Sequence, residues 1–560
     1  MAYHDSSHTS ALVRLADELK LQIINELSAR HDLLNLCLTC RTFEAMTMRA
    51  LYKDFDISIP QNRGMGWDIQ ALPPFRTDAI RSIKRLTIRN GYLHQQNPTS
   101  HRRLRPDVAS LEAYVCGIIH RIPVSQLYAF SFLHRSALPY EVLQSLIRHQ
   151  NATLQELRVY ELEAVCKPGG LLPQSLKVFE CRSIMEGKAL GRIAKANRGT
   201  LKALRLGQEK ALVDRYRLDR TGLQEQTVQP LELLLTIVRF QEMHRLEELC
   251  FYGLNLSPLF LGSTNPTSFI FGLKRLTLES CSGTAELLHS LVATFYEAQK
   301  SSFLNKRVAQ LKHFLLRHEA PSPQLKTALS RFLSSFTGLE TLSLLLENAT
   351  FLDRPCSFLP NHGVTLKTLV LECRIQPREN LGLDTSRPFG AGAYTQVLWQ
   401  DTIEDICQLC PNLEELGTGF PWNDEIVRLG KTSLPTLKTL KTIHIRNFPT
   451  CTHLSQLGDY SIREYVSKFI EWVFPSLVGG ARPALEILAL GPTLYETRWR
   501  SNPSRRQPPE FLRTHYFCLD WAKTRFGRWS PMVTNVSEHY MEEIRGQKPL
   551  AGVFEQVWLR

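Results

Sequence analysis

The sequence predicts an α/β fold in which a short N-terminal unit of three helices precedes an irregular solenoid, with a curved parallel sheet inside and helices outside. Three observations predict this fold. Apolar residues recur at helical spacing between Leu12 and Met46. A hexamer that begins with leucine recurs along the rest of the chain, mostly at intervals of about 25 residues. Stretches with helical spacing, such as Ala285–Gln299, lie between the hexamers.

The N-terminal unit is expected to form three short helices. Asp17 is placed to cap the first helix, whose buried face would carry Leu19, Ile23 and Leu27 at intervals of four residues. Asp32 is placed to cap the second helix. A domain of fewer than about 40 residues rarely buries many large side chains among its own helices. The surplus apolar surface therefore has to meet either the rest of this chain or another protein.

The order of residues in this unit resembles that of an F-box. F-boxes open on Leu-Pro-x-Glu, continue with Ile and Leu at helical spacing and with Asp-Leu-Leu, and close on Val-Cys-Arg followed by an aromatic residue. Ala16 stands where the family has proline, and Thr39 stands where it has valine. An ordinary helical cap on a solenoid is the alternative. The corresponding residues here are Leu15-Ala16-Asp17-Glu18, Ile23-Ile24, Leu27, Asp32-Leu33-Leu34, Leu38-Thr39-Cys40-Arg41 and Phe43.

The F-box resemblance implies binding to a Skp-family adaptor and, through it, to a cullin in a ubiquitin ligase. Because proline is pre-set for the start of a helix, Ala16 is expected to loosen the helix start and weaken the adaptor contact. The residues that would contact the adaptor are Leu15, Ala16, Leu19, Ile23, Leu27, Leu33, Leu34, Leu38, Cys40 and Phe43.

The recurring hexamer has apolar residues at its first, fourth and sixth places, which resembles the leucine-rich repeat. The resemblance implies one strand and one helix per repeat, stacked into a solenoid. A degenerate helix–strand array of another family is the alternative. The hexamers begin at Leu154, Leu176, Leu201, Leu246, Leu273, Leu311, Leu339, Leu366, Leu413, Leu437 and Leu485, with weaker copies at Ile83 and Leu127.

The chain is basic, because 67 Lys and Arg against 54 Asp and Glu give a formal net charge of +13. Arginines interleaved with aromatic residues near the C terminus can bind an acidic or phosphorylated peptide, or nucleic acid. No nucleic-acid-binding motif accompanies them, so nucleic acid is not favoured. A C-terminal cap, with its aromatic residues closing the last repeat and its arginines in water, is the alternative. The candidate target-binding residues are Arg498, Arg500, Arg505, Arg506, Arg513, Trp521, Arg525 and Arg528.

Outward-facing positions on the predicted strands form a second candidate surface. Basic residues dominate these positions, so a shared binding patch is one interpretation and ordinary solvated spacing is the other. The positions include Arg158, Glu180, Arg205, Thr277 and Lys438, followed past the strand ends by Arg182, Arg374 and Arg446.

The cysteines are expected to be reduced thiols in the cytoplasm or the nucleus, because thirteen of them occur without a secretory signal. The pairs Cys37/Cys40 and Cys407/Cys410 lie in helix-like surroundings, which favours buried thiols over metal ligands. No apolar run approaches the roughly 20 residues of a membrane span, and no membrane partner is expected. No catalytic or nucleotide-binding motif is present, so neither an enzyme nor a cofactor is expected.

Four segments are expected along the chain: a flexible arm over residues 1–10, the F-box-like unit over 11–54, the solenoid over 55–497 and a basic, aromatic C-terminal cap over 498–560. The expected function is that of a non-catalytic substrate-recognition subunit of a Skp–cullin–F-box ubiquitin ligase, with an unknown protein target that is acidic or phosphorylated. Two alternatives stay open. One is an F-box scaffold outside any ligase, and the other is a basic solenoid that binds nucleic acid or a phosphorylated partner.

Overall fold

The structure of the protein is a computed structural model, and it describes most of the chain in separate stretches. The described residues are 15–27, 30–59, 61–62, 66–67, 77–90, 108–163, 170–184, 187–208, 230–235, 237, 239–259, 268–300, 309–318, 321–347, 357–375, 394–395, 398, 400–420, 429–446, 462–474, 482–491, 514–537 and 541.

Helices and strands alternate along these residues. The α-helices are α1 (Asp17–Glu26), α2 (Arg30–Cys37), α3 (Arg41–Leu51), α4 (Thr77–Ile80), α5 (Val108–Arg121), α6 (Tyr140–Gln150), α7 (Gly187–Ala196), α8 (Pro230–Leu235), α9 (Thr284–Lys300), α10 (Pro323–Ser334), α11 (Gln400–Leu409) and α12 (Ile462–Val473). The strands are β1 (Asp54–Ile59), β2 (Gln61–Asn62), β3 (Gly66–Trp67), β4 (Arg85–Asn90), β5 (Ala129–Leu138), β6 (Glu156–Leu162), β7 (Val178–Ser183), β8 (Ala203–Gly207), β9 (Glu248–Tyr252), β10 (Arg275–Glu279), β11 (His313–His318), β12 (Thr341–Glu347), β13 (Thr368–Ile375), β14 (Tyr394–Thr395), β15 (Glu415–Thr418), β16 (Thr442–Ile445), β17 (Ile487–Leu490), β18 (His515–Lys523) and β19 (Trp529–Val536).

The chain divides into two compact units, residues 1–206 with 233–245, and residues 207–232 with 246–560. In the first unit, strands β1, β4, β5, β6, β7 and β8 pair in that order and all run parallel. In the second unit, β9 to β13 and β15 to β17 are likewise parallel in chain order. The two strands β18 and β19 add to β17 antiparallel. The α/β class and the mostly parallel sheet expected from the sequence are therefore confirmed.

The core of each unit is built from the recurring hexamers. Their first, fourth and sixth residues are buried at every predicted copy except the one at Leu437. The parallel register places equivalent residues side by side, as where Leu157 lies opposite Phe179, which lies opposite Leu204. Full burial of such a side chain stabilises the fold by about 1.5–3 kcal/mol. The row of apolar side chains is thus continuous within each parallel ladder.

The hexamer predicted at Leu437 is wrong by three residues. Strand β16 places Ile443 opposite Leu416, so the repeat begins at Leu440, which is buried. Leu437 is only half-buried, and Lys438 is exposed ahead of the strand rather than on it. The error arises because leucine and lysine occur together twice in succession, which makes both registers compatible with the sequence pattern.

A polar side chain four residues before the first leucine of a hexamer forms hydrogen bonds to the hexamer that precedes it in the chain. Gln150, at the end of α6, precedes Leu154 in this way. Its Oε1 accepts a hydrogen bond from the backbone N–H of Leu127 at 2.9 Å, and its Nε2 donates to the carbonyl of Pro123 at 3.0 Å. Because an unpaired buried backbone group costs about 1–3 kcal/mol, these bonds fix the spacing between the neighbouring repeats.

The same connection is made by different residue types in other repeats. Asn197 Oδ1 accepts from the N–H of Leu176 at 2.8 Å. His362 Nδ1 accepts from the N–H of Leu339 at 3.4 Å, and its Nε2 donates to the carbonyl of Leu333 at 2.8 Å. This arrangement requires the neutral His362 tautomer with its proton on Nε2.

A hydroxyl immediately before the leucine adds a second connection. It donates to the carbonyl of the leucine that opens the preceding hexamer. The pairs and oxygen–oxygen distances are Thr153 to Leu127 at 3.0 Å, Ser175 to Leu154 at 3.0 Å, Thr200 to Leu176 at 2.9 Å, Thr365 to Leu339 at 2.7 Å and Thr439 to Leu413 at 2.8 Å. The last pair independently places a repeat at Leu440.

The connection through His362 predicts a loss of stability in acid. Burial lowers the pKa of His362, although the hydrogen bond to the Leu333 carbonyl opposes that shift. The folded pKa lies below the ordinary value of about 6.5, so the unfolded chain binds the proton more readily. The contribution of His362 is therefore present above about pH 6.5 and is lost as the pH falls through the folded pKa. We expect the urea midpoint of unfolding to fall between neutral pH and pH 5.

The substitution His362→Gln tests this cause, because glutamine makes the same kind of connection at Gln150 and does not titrate. We expect the variant to have a weaker pH dependence of the urea midpoint than the unmodified protein. His31→Gln is the control, since His31 is exposed on α2. Equal pH dependence in the protein and in His362→Gln would contradict the assignment.

Candidate interaction surfaces

The three N-terminal helices have a small core of their own. It consists of the buried side chains of Ile24, Leu33, Phe43 and Leu51. Leu27, Leu36, Met46 and other partly buried apolar side chains pack against these four. The helices thus form a packed cluster, which we call the N-terminal helical unit (residues 15–53). Its core uses only part of its apolar residues.

Helix α1 is rotated relative to the sequence expectation. Lys20 and Ile24 are the buried residues of α1, whereas Leu19 is 49% exposed. Ile23 and Leu27 are half-buried. The predicted buried face through Leu19 is therefore wrong. Lys20 occupies an inward position, and its ammonium group contacts Asp17 Oδ1 at 2.9 Å. A long lysine stem can be buried in this way while its charge is paired.

The predicted caps also differ from the structure. The N-cap of α1 is Ala16, which makes no side-chain capping bond, and Asp17 is the first helical residue. Helix α2 begins at Arg30, with Asp32 inside its first turn. Both carboxylates consequently lie near the positive end of a helix dipole rather than at the cap position. Ala16 has φ −58° and ψ 148°, a conformation that proline also adopts.

The surface of the N-terminal helical unit is rich in exposed leucine. Leu38, in the turn between α2 and α3, is 83% exposed. Leu19, Leu21 and Leu34 are between 43% and 49% exposed. Soluble surfaces expose single apolar residues commonly, and Leu19 and Leu21 lie on different sides of α1, so these leucines are individual candidates for contact with a partner. Leu21 was missed at the sequence level because it lies off the expected apolar stripe.

The ten predicted adaptor-contact residues fall into three groups. Ala16, Leu19, Leu34 and Leu38 are exposed, and Leu33 and Phe43 are buried in the unit's own core. The half-buried ones are Leu15, Ile23, Leu27 and Cys40. Leu33 and Phe43 therefore act by holding the helices together, and the exposed leucines are available to a partner.

The strand face of the first unit carries paired charges. Arg158, Glu180 and Arg205 lie opposite one another on β6, β7 and β8. The buried Glu180 carboxylate accepts from Arg182 Nε at 3.0 Å and from Arg205 Nη1 at 3.4 Å. Glu156 is shared in the same way by Arg85 Nη1 at 3.1 Å and Arg158 Nη2 at 3.2 Å. These arginines are held by carboxylates on the same face.

Arg446, in the second unit, is buried, although the sequence placed it among the outward-facing positions. Arg446 Nη1 contacts Glu372 Oε2 at 2.5 Å, and both side chains are almost completely buried. Burying two charged groups costs desolvation free energy, which the attraction between them must offset. Removing one partner leaves the other charge buried and unpaired, which is strongly destabilising. Arg446 is therefore a structural residue and not part of an open binding patch. Arg374, which the sequence placed past the strand end, lies inside β13 and pairs with Thr395 of β14.

The basic C-terminal segment is described only in part. Arg498, Arg500, Arg505, Arg506 and Arg513 lie outside the described residues. Trp521 is buried, and its indole Nε1 donates to the carbonyl of Leu485 at 2.8 Å. Arg525 and Arg528 are exposed near the turn between β18 and β19. Trp521 thus fastens the antiparallel pair to the sheet, whereas the two arginines face solvent.

The described residues contain no group of three or more His, Cys, Asp or Glu side chains placed to hold a metal ion. Among the helices in the described stretches, none combines the length and apolar character needed to cross a membrane. No protein-family model and no curated protein sequence matches this chain.

The two Cys-x-x-Cys pairs differ in their surroundings. Cys40 is half-buried at the N-cap of α3, where a hydrogen bond from the backbone N–H of Phe43 lowers the pKa of its thiol. Cys407 is buried on α11, and burial raises its pKa to about 12. The expectation of buried thiols is therefore wrong for Cys37 and Cys40, which are both half-buried, and is confirmed for Cys407 and Cys410.

This difference predicts selective alkylation, because the thiolate is the reactive form. In the native protein at slightly alkaline pH, iodoacetamide should modify Cys40 at least about 100-fold faster than Cys407. Peptide mapping by mass spectrometry after short exposure measures both sites in one sample. Denaturant provides the control, since it should make the two rates similar. Equal native rates would contradict the described placement of Cys40.

Proposed function

We propose that this protein is the substrate-recognition subunit of a Skp–cullin–F-box ubiquitin ligase. In this proposal, the N-terminal helical unit is an F-box that binds a Skp-family adaptor, and the repeats form a leucine-rich-repeat solenoid that binds a protein target. The protein itself catalyses nothing. It brings a lysine of the target near the ubiquitin-charged enzyme, so that proximity supplies the rate.

The observation that carries the proposal is the exposed leucine surface on a unit that already has a core. Ile24, Leu33, Phe43 and Leu51 hold the three helices together without Leu19, Leu34 or Leu38. Burying such leucines against a partner removes apolar surface from water, at about 25 cal/mol per Å² before the costs of association. Because Leu19, Leu34 and Leu38 also fall at F-box positions, an adaptor is the partner that the sequence and the exposure favour together.

A second candidate function is an interaction scaffold that binds the adaptor outside any ligase. Ala16 favours it, because the F-box proline is missing at a helix start where its ring would stiffen the chain. The two functions differ in what accompanies the adaptor. Capture of cullin together with the adaptor, and slower turnover of bound targets when the protein is depleted, supports the ligase. Capture of the adaptor without cullin supports the scaffold.

Replacing the exposed leucines tests adaptor binding directly. The double variant Leu34→Asp, Leu38→Asp should lower the affinity for a purified Skp-family adaptor by at least about 100-fold, because each change places an unpaired charge in an apolar contact. Both side chains are exposed, so the fold should be retained. Calorimetric titration of the full-length chain measures the affinity.

Val364→Asp is the matched control, since Val364 is an equally exposed apolar residue in the second unit. It should leave adaptor affinity unchanged. An unmodified protein that fails to bind the adaptor, or a double variant that still binds it fully, would refute the proposal.

Restoring proline at Ala16 gives an independent prediction. The observed φ of −58° suits proline, and the Ala16 carbonyl stays free to accept from the N–H of Lys20. We expect Ala16→Pro to stabilise the N-terminal helical unit by about 0.4–1 kcal/mol, chiefly by restricting the unfolded chain. Hydrogen exchange of the α1 amides measures the stabilisation, and adaptor affinity should rise with it. Ala45→Pro is the opposite control, because Ala45 lies inside α3, where proline breaks the helix.

A further inference from the structure

The turn between β18 and β19 closes a hairpin through backbone hydrogen bonds. The N–H of Thr524 donates to the carbonyl of Arg528 at 2.7 Å, and the N–H of Gly527 donates to the carbonyl of Thr524 at 2.9 Å. Gly527 has φ +75°, the left-handed conformation that glycine adopts without steric cost. The backbone of the turn that carries Phe526 is thus defined by two hydrogen bonds and by the Gly527 conformation.

The hairpin continues past its pairing with the sheet, because β17 pairs with residues 515–518 of β18 and residues 519–523 pair only with β19. Tyr516, Phe517 and Trp521 are buried in its base. Past Trp521 the exposed residues follow one another, from Ala522 to Phe526 on the outgoing side. We call residues 522–532 the hairpin tip. Its base is held by the Trp521 indole, which is hydrogen-bonded to the carbonyl of Leu485.

The hairpin tip combines cations with exposed apolar side chains. Residues 522–532 contain Lys523, Arg525 and Arg528 and no acidic residue. Phe526 is 68% exposed and Met532 is 55% exposed. The Arg525 guanidinium lies 4.7 Å from the centre of the Phe526 ring. Positive charge and apolar surface are thus presented side by side.

We propose that the hairpin tip docks on an anionic membrane surface, with Phe526 inserted among the lipids and the three cations at the headgroups. The order of residues along the hairpin fits that task. Phe526 is at the end, Arg525 and Arg528 flank it, and half-exposed Trp529 lies behind them, three residues from Phe526. Apolar side chains of interfacial elements are buried about 5–10 Å into the boundary between headgroups and acyl chains, and Phe526 is the exposed aromatic residue of the turn.

The shape of the tip favours a membrane over other anionic partners. Extended peptides bind in grooves or along sheet edges, and single-stranded nucleic acid binds in grooves that follow its backbone. Arg525, Phe526 and Arg528 lie in the turn between the two strands and not on a strand edge, so an added strand would not contact them, whereas a lipid surface accepts an exposed apolar group at the end of a hairpin directly. Charge complementarity adds attraction, because each cation near an anionic leaflet contributes about 1 kcal/mol, or about fivefold in binding. No membrane partner was expected from the sequence because no apolar run is long enough to span a membrane, but a contact at the membrane surface needs no such run.

Co-sedimentation of the full-length protein with vesicles tests this proposal without any reference to adaptor binding. The vesicles are phosphatidylcholine with and without phosphatidylserine, at physiological ionic strength. We expect binding only to vesicles that contain phosphatidylserine. Phe526→Ser should weaken binding to these vesicles about tenfold, because the variant has no aromatic side chain to bury among the lipids. Arg525→Gln and Arg528→Gln should weaken it about fivefold each.

Two matched controls separate the tip from the overall positive charge. Val124→Ser changes an apolar side chain that is also 68% exposed, and Lys431→Gln removes an exposed cation elsewhere in the second unit. Both should bind phosphatidylserine vesicles as the unmodified protein does. The proposal is overturned if the unmodified protein binds no better to vesicles with phosphatidylserine than to vesicles without it. It is overturned as well if the control variants and the tip variants weaken binding equally. It is also overturned if the tip variants lose binding only to a single-stranded oligonucleotide or a polyglutamate peptide.

Discussion

The parallel stacking of one apolar side chain on the next is the interaction on which the rest of this protein depends. Leu249, Leu276, Phe314 and Leu342 lie side by side across four strands, and each is almost completely buried. A strand in this array cannot shift by one residue without turning its core side chains outward. The register is therefore set first by the burial of these side chains.

The polar connections between hexamers make this stacking specific. A shift along the chain would also leave a buried backbone N–H without its acceptor, which costs about 1–3 kcal/mol. Gln150, Asn197 and His362 differ chemically and yet share one task, since each offers an acceptor to a buried N–H. The task therefore belongs to the position rather than to the residue type. This explains why the repeats keep their geometry although their sequences and spacings are irregular.

Two surfaces face outward from this scaffold for different reasons. The N-terminal helical unit is too small to bury all its leucines, so Leu19, Leu34 and Leu38 remain exposed after its core is complete. The hairpin tip is exposed because strands β18 and β19 continue past the residues that pair with β17. The Trp521 indole holds the base of the hairpin by a hydrogen bond to the carbonyl of Leu485. By contrast, the arginines on the strand face are tied to Glu156 and Glu180. The proposed adaptor and membrane contacts are accordingly at the termini of the chain and not on the strand face.

The sequence by itself determined the α/β class, the helical unit at the N terminus and most hexamers, because hydrophobic periodicity records which side chains must leave water. Only the tertiary structure decided the rest. It chose Leu440 over Leu437, turned α1 so that Ile24 rather than Leu19 is buried, and paired Arg446 with Glu372. Each of these choices depends on neighbours distant in the chain. A local pattern compatible with two registers, two helix rotations or two charge partners cannot distinguish them until those neighbours are packed in place.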